Sequence, residues 1–210
     1  MKNILAIGAH YDDLELGCSG SLIKYVDEGA KVTMIVVTDS AYQNPDGEIV
    51  REAETAYNEG ASAAKIIGAD DLICLNYKTF MVPFDESLTK KIIYYIEKLN
   101  IDTIFSHWVY DIHRDHQYTA KSAMMAGRHI PRFFMYRSNY YDTEKTFNGS
   151  YYIDISNQIE KKKEVIKAHK SELERVRYKW LNFILNQNAN DGQKIGVNYA
   201  EKFEIIRYLA

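Results

Sequence analysis

The feature that most limits the fold is an alternation of two patterns along the chain. Short, largely apolar runs recur at Ile4–Ile7, Lys31–Val37, Asp71–Leu75, Thr103–Ser106 and Arg132–Tyr136. A strand with one wet face would alternate apolar with polar residues. These runs do not, so they read as strands covered on both faces. Between them the apolar residues repeat at helical spacing: Leu22, Ile23 and Val26; Ala53, Ala56, Ala63, Ala64 and Ile67 in a segment from about Ile49; Leu88, Ile92, Ile96 and Leu99; then Tyr118–Arg128. Strand and helix in alternation predict an α/β fold, a mostly parallel sheet with helices on both faces.

Past Ser138 the alternation loosens. Tyr151–Ile155 reads as a further strand, and Ser156 as the cap of one long helix with the stripe Ile159, Ile166, His169, Leu173, Val176 and Trp180. Thr38–Gly47, with its Asn44-Pro-Asp-Gly47 turn signal, and Asn186–Gly192 read as loops. No repeat or linker divides the chain, so residues 1–210 are expected to form a single domain.

Composition removes several function classes. The net charge is −3, and Lys161–Lys163, the one basic run, reads as a solvated helix face, so nucleic acid is a poor partner. No stretch approaches the roughly 20 apolar residues of a membrane helix. The apolar opening is short and interrupted at His10, which predicts no signal peptide. Cys18 and Cys74 lack CxxC spacing, and the chain reads as cytoplasmic with reduced thiols. The 17 tyrosines can line a polar groove or simply reflect the composition of the source proteome.

Two polar clusters stand where packing does not call for them. The first run ends in His10-Tyr11-Asp12-Asp13, and the fourth is followed by His113-Arg114-Asp115-His116. With the common strand order 3-2-1-4-5, the first and fourth strands flank the point where strand order reverses, and ligands bind there beyond the carboxyl ends. Acids stand where a GxGxxG fingerprint would place glycines, which argues against a nucleotide cofactor. Two imidazoles and a carboxylate suit a catalytic divalent metal, with a second carboxylate as general base and a further histidine, as imidazolium, for the oxyanion. Taken singly, Asp12-Asp13 also fits a solvated turn, and Asp115 a helix cap.

The two clusters together resemble the LmbE-like, or PIG-L, family of zinc-dependent N-deacetylases. The family signature AHPDD, often continued as ELGCGGT, is similar to Ala9-His-Tyr-Asp-Asp-Leu-Glu-Leu-Gly-Cys18, and DxHxDH is similar to Asp111-Ile-His-Arg-Asp-His116. Lys167-Ala-His-Lys-Ser171 resembles a late HxS segment, and Tyr199-Ala-Glu-Lys-Phe203 a C-terminal YAExF. The resemblance implies a Rossmann-like single domain and a Zn²⁺ held by His10, Asp13 and His116. It makes Asp12 the general base and His113 the oxyanion donor or acid, with Asp115 orienting His113. Arg51 is the counterpart of a substrate-contacting arginine. The implied reaction removes an N-acetyl group from an amino sugar or sugar conjugate, with a small sugar as partner. Another amide, a sugar phosphoester, a non-catalytic binding module and homo-oligomer formation all stay open. The chain departs from the family at Tyr11, where proline is usual, and at Glu172, where HxSQ has glutamine. His169 lies on an apolar stripe and reads equally as packed or as facing the pocket.

Overall fold

The computed structural model describes residues 1–209. Strand β1 (Asn3–Gly8) leads into a short helix α1 (Asp13–Gly17) and then α2 (Ser19–Asp27). Next come β2 (Lys31–Thr38), a hairpin of β3 (Tyr42–Gln43) and β4 (Ile49–Arg51), helix α3 (Ala53–Ile67) and β5 (Asp71–Tyr77). Helix α4 (Glu86–Lys98), β6 (Thr103–His107), α5 (Arg114–Ala126) and β7 (Arg132–Tyr136) complete the alternating part. The remainder is β8 (Tyr151–Asp154), α6 (Ile159–Lys167), α7 (Lys170–Arg175), α8 (Lys179–Lys194) and β9 (Ala200–Tyr208).

The seven-stranded sheet has the order β5-β2-β1-β6-β7-β9-β8. Its first five strands are parallel, in the expected 3-2-1-4-5 arrangement, and β9 and β8 extend it antiparallel. Side chains alternate across a strand, so β1 feeds two cores. Ile4 and Ala6 pack with Leu22, Ile23, Ala63 and Ile67, whereas Leu5 and Ile7 pack with Leu88, Ile92, Ile104 and Ala123 on the other face. Among the described residues, no helix is long and apolar enough to cross a membrane.

The departures cluster where local signals compete. Residues 42–51 form a hairpin rather than a loop running into a helix, and α3 starts only at Ala53. The long helix expected after Ser156 is three helices. Its breaks fall at His169 (ψ 63°) and at Arg177 and Tyr178, both with positive φ. Ser156 caps none of them; its hydroxyl bonds Asp154, and α6 begins at Ile159. Asn186–Gly192 is helical, in the C-terminal half of α8. Lys162 is not on a solvated face either: it is fully buried against Glu201.

Tyr11, in place of the usual proline, is also built in. Its N–H donates to the Ser40 hydroxyl at 2.9 Å, a bond proline cannot make. Its ring lies on α3 at Gly60, where a Cβ would come within 2.2 Å of a ring carbon. Gly60→Ala is expected to destabilise the fold, since overpacking costs about 1–3 kcal/mol and outweighs the helix-propensity gain. Urea unfolding of Gly60→Ala alone and in a Tyr11→Leu background checks the cause: the penalty should shrink when the ring is gone.

Candidate metal centre and active site

The end of β1 and the start of α5 meet because β1 and β6 are paired neighbours. His10 follows β1, Asp13 opens α1, and His116 lies in the first turn of α5. The three groups form a small triangle in which the two imidazole nitrogens face different oxygens of the Asp13 carboxylate. His10 Nδ1 is 3.2 Å from His116 Nε2 and 3.4 Å from Asp13 Oδ2, and His116 Nε2 is 3.2 Å from Asp13 Oδ1. Donors about 2.0–2.1 Å from a tetrahedral zinc stand about 3.4 Å apart. The triangle has that size.

The far nitrogen of each imidazole sits against its own carboxylate. His10 Nε2 is 3.1 Å from Asp115, and His116 Nδ1 is 3.2 Å from Asp111. Protons held on those nitrogens leave His10 Nδ1 and His116 Nε2 as lone pairs aimed into the triangle, the arrangement that carboxylate-backed metal histidines adopt. The donor set therefore fits a divalent cation. Burial opposes charge on both rings, but hydrogen bonds donated to Asp115 and Asp13 raise His10 to about 9, and the charge of Asp13 with the bond to Asp111 raises His116 to about 10. Burial likewise opposes charge on Asp13, yet His116 and His107 hold its carboxyl well below the usual range. The site attracts positive charge.

Asp115 meets both histidines, His113 through its backbone and His10 through its carboxylate. Its carboxylate bonds His10 and the backbone N–H groups of Phe80 (2.7 Å) and Val82 (3.4 Å). The contact from Asp115 to the His113 ring is its backbone N–H, which donates to Nδ1 at 3.2 Å. That bond places the His113 proton on Nε2. Burial, and then the charges of His116 and His10, push His113 down to about 4, so the ring is neutral rather than an imidazolium. Phe80 stacks on its face at 5.5 Å.

Asp12 stands beside the triangle at φ 130°, a conformation costly for any residue with a Cβ. Burial and the neighbouring Asp13 raise its carboxyl to about 7, against the pull of Arg51 and His169. Arg51, 3.9 Å from Asp12, is itself buried and committed: it donates to the Tyr11 carbonyl and to Glu59, both at 2.9 Å. His169 is buried behind it, 3.2 Å from both Arg51 and Glu15. Glu172 faces the cavity, accepting from the Tyr42 hydroxyl at 2.8 Å and from Arg175. The cavity is about 330 Å³, and His10, Asp12, Asp13, His113 and His116 line it together with Arg51 and Trp180.

The family profile described as GlcNAc-PI de-N-acetylase matches residues 5–126, more than half of the chain and both motifs. The chain belongs to the PIG-L family. A diacetylchitobiose deacetylase of Thermococcus kodakarensis is 25% identical, with 98% of this chain and 84% of that protein covered. Among solved structures, N,N'-diacetylchitobiose deacetylase from Pyrococcus horikoshii superposes with a TM-score of 0.84 at 24% identity, covering 98% of this chain and 84% of that one. A 4-carboxy-2-hydroxymuconate hydratase from Pseudomonas putida superposes at 0.80 with 15% identity over 100% of this chain and 98% of that one. Likeness at that identity speaks for the fold alone.

Within this PIG-L chain, sequence reading overlooked His107 and Ser138. His107 Nε2 is 3.0 Å from Asp13 Oδ2, and the Ser138 hydroxyl donates to Asp13 Oδ1 at 3.0 Å. The available signal is positional: His107 is the last residue of β6, and Ser138 lies two residues past β7, both at carboxyl strand ends beside the site.

Proposed function

We propose that the protein is a zinc-dependent N-deacetylase acting on an N-acetylated amino sugar or its conjugate. The observation that carries this reading is the ligand triangle of His10, Asp13 and His116, with Asp12 and His113 beside it and the cavity open before all five. Bound in that triangle, Zn²⁺ would supply a Lewis acid for the amide carbonyl and would lower the pKa of water to roughly 7.

The chain's own residues supply the rest. Asp12, poised at about 7, accepts the proton of the attacking water and returns it to the departing amine. His113 presents Nε2–H to the carbonyl oxygen as negative charge develops there, a hydrogen bond that strengthens in the transition state. Asp115 and Asp111 hold the two imidazoles, and the cavity walls orient the sugar. Arg51, with its hydrogen bonds to the Tyr11 carbonyl and Glu59, stands 3.9 Å from Asp12 and lines the cavity, where it can meet substrate.

Acetate release from N-acetylglucosamine and diacetylchitobiose tests the reading. Activity should vanish in protein stripped by a chelator and return with one equivalent of Zn²⁺. Phosphate release from sugar phosphates without acetate release would overturn it in favour of phosphoester hydrolysis. Zinc binding without turnover of either class would favour a binding module.

A further inference from the structure

His107 belongs neither to the ligand triangle nor to the cavity wall, yet it is fully buried within contact of both. Its ring lies flat against His116, with centroids 4.0 Å apart and planes at 14°, and is backed by Tyr136 at 4.8 Å. Tyr136 is itself pinned, its hydroxyl donating to the Ile7 carbonyl at 3.0 Å. The imidazole therefore has no room to turn. Its Nε2 lies 3.0 Å from Asp13 Oδ2 and also 3.0 Å from the Ala9 backbone N. Its Nδ1 is buried without a hydrogen-bond partner among the described residues.

We propose that His107 is a positioning residue for the metal carboxylate: wedged between His116 and Tyr136, it donates Nε2–H to Asp13 Oδ2 and fixes the rotamer that turns Oδ1 toward His116. The inference rests on the metal reading of the site and is independent of which substrate is cleaved. Asp13 has few other restraints on Oδ2. The His10 backbone N–H at 2.7 Å is one, and His107 is the one side-chain donor within 3.0 Å. Ser138 steadies the opposite oxygen. A carboxylate held at both oxygens presents one geometry to a cation, and removing such an outer partner weakens metal binding about 10–100-fold.

The tautomer separates this role from a merely structural one. A single Nε2 cannot both donate to Asp13 and accept from Ala9. Each tautomer leaves one buried N–H unpaired. With its proton on Nδ1 the ring accepts the Ala9 N–H and strands Nδ1–H, and with its proton on Nε2 it strands the Ala9 N–H. Only the second form avoids setting an imidazole lone pair against the Asp13 carboxylate at 3.0 Å. Nitrogen-detected NMR of histidine rings in the zinc-loaded protein should show the Nε2–H form for His107; an Nδ1–H form overturns the proposal.

Substitutions give a second test. His107→Leu should raise the Zn²⁺ Kd about 10–100-fold, read by competition with a chromophoric chelator well below its melting temperature. His107→Gln should restore affinity, because its amide N–H₂ can donate to Asp13 while its carbonyl accepts from Ala9. An unchanged Kd in folded His107→Leu overturns the role. So does a changed Co²⁺ absorption spectrum in His107→Gln, since that would make His107 a ligand itself. If His107→Leu does not fold, the tautomer and the glutamine variant still decide. Wild-type protein that takes up no Zn²⁺ at all would overturn the metal reading instead, and the positioning role with it.

Discussion

Replacing Asp12 by asparagine is expected to leave the zinc stoichiometry unchanged and to lower kcat/KM roughly 10²–10⁴-fold, the usual contribution of a positioned general base. The amide keeps the size and a similar hydrogen-bonding outline but cannot take a proton. The triangle of His10, Asp13 and His116 does not include Asp12, so metal uptake should persist. A companion variant adds a test that bears on the backbone. At φ 130° a residue with a Cβ pays strain of order 1–3 kcal/mol, which glycine relieves. Asp12→Gly should therefore be inactive and yet more stable than wild type, with the burial cost of the carboxylate also gone. Activity and melting temperature moving in opposite directions would identify Asp12 as strained for the sake of the reaction. An Asp12→Asn enzyme of wild-type rate would remove the proposed base, and a destabilised Asp12→Gly would remove the strain argument.

How much of this was legible in the sequence depended on the range of the forces involved. Strands such as Lys31–Thr38 announce themselves because a strand buried on both faces must be apolar along its length. The strand order then followed from general topology, and with it the meeting of His10 with His116. The hairpin at Tyr42–Arg51 was not legible. Its turn is closed locally, by Asn44 bonding Asp46 and Glu48 at the turn signal. Its strands, however, are only two and three residues long and carry no pattern of their own, and they are placed by contacts such as Tyr42 to Glu172. The break at His169 hides for a related reason: its residues keep a helical stripe, and tertiary contacts to Arg51 and Glu15 accompany the turn. Within the site, ligand types could be read from motifs, but partner assignments could not. Asp115 and His113 are two residues apart, so proximity in sequence suggested a pair. Yet a residue in the first turn of α5 points across the site, and there the carboxylate meets His10.

The same limit explains Lys162, which sits in a basic run and is nevertheless wholly buried. Its ammonium bonds the Glu201 carboxylate and donates to the Leu16 carbonyl at 3.0 Å. Glu201 in turn accepts from the backbone N–H of Gly20 at 2.9 Å and of Ser21 at 2.7 Å, and from the Ser21 hydroxyl. The pair thus ties the last turn of α1 to the first turn of α2. Asp13 rides on α1, so the metal site is anchored through it. Removing one member of a buried pair strands the other, at a typical cost of 3–5 kcal/mol. The two truncations should differ. Lys162→Met leaves Glu201 with three donors, whereas Glu201→Ala leaves the ammonium with the Leu16 carbonyl alone. Glu201→Ala is therefore expected to be the more damaging and to lower Tm by roughly 6–20 °C at this chain length. Lys162→Met combined with Glu201→Gln should cost less than the sum of the single changes, because no unpaired charge remains. Zinc affinity should fall with Glu201→Ala even below its melting temperature, as α1 loosens. Additive costs in the double variant, or single variants as stable as wild type, would show that the pair carries no such tie.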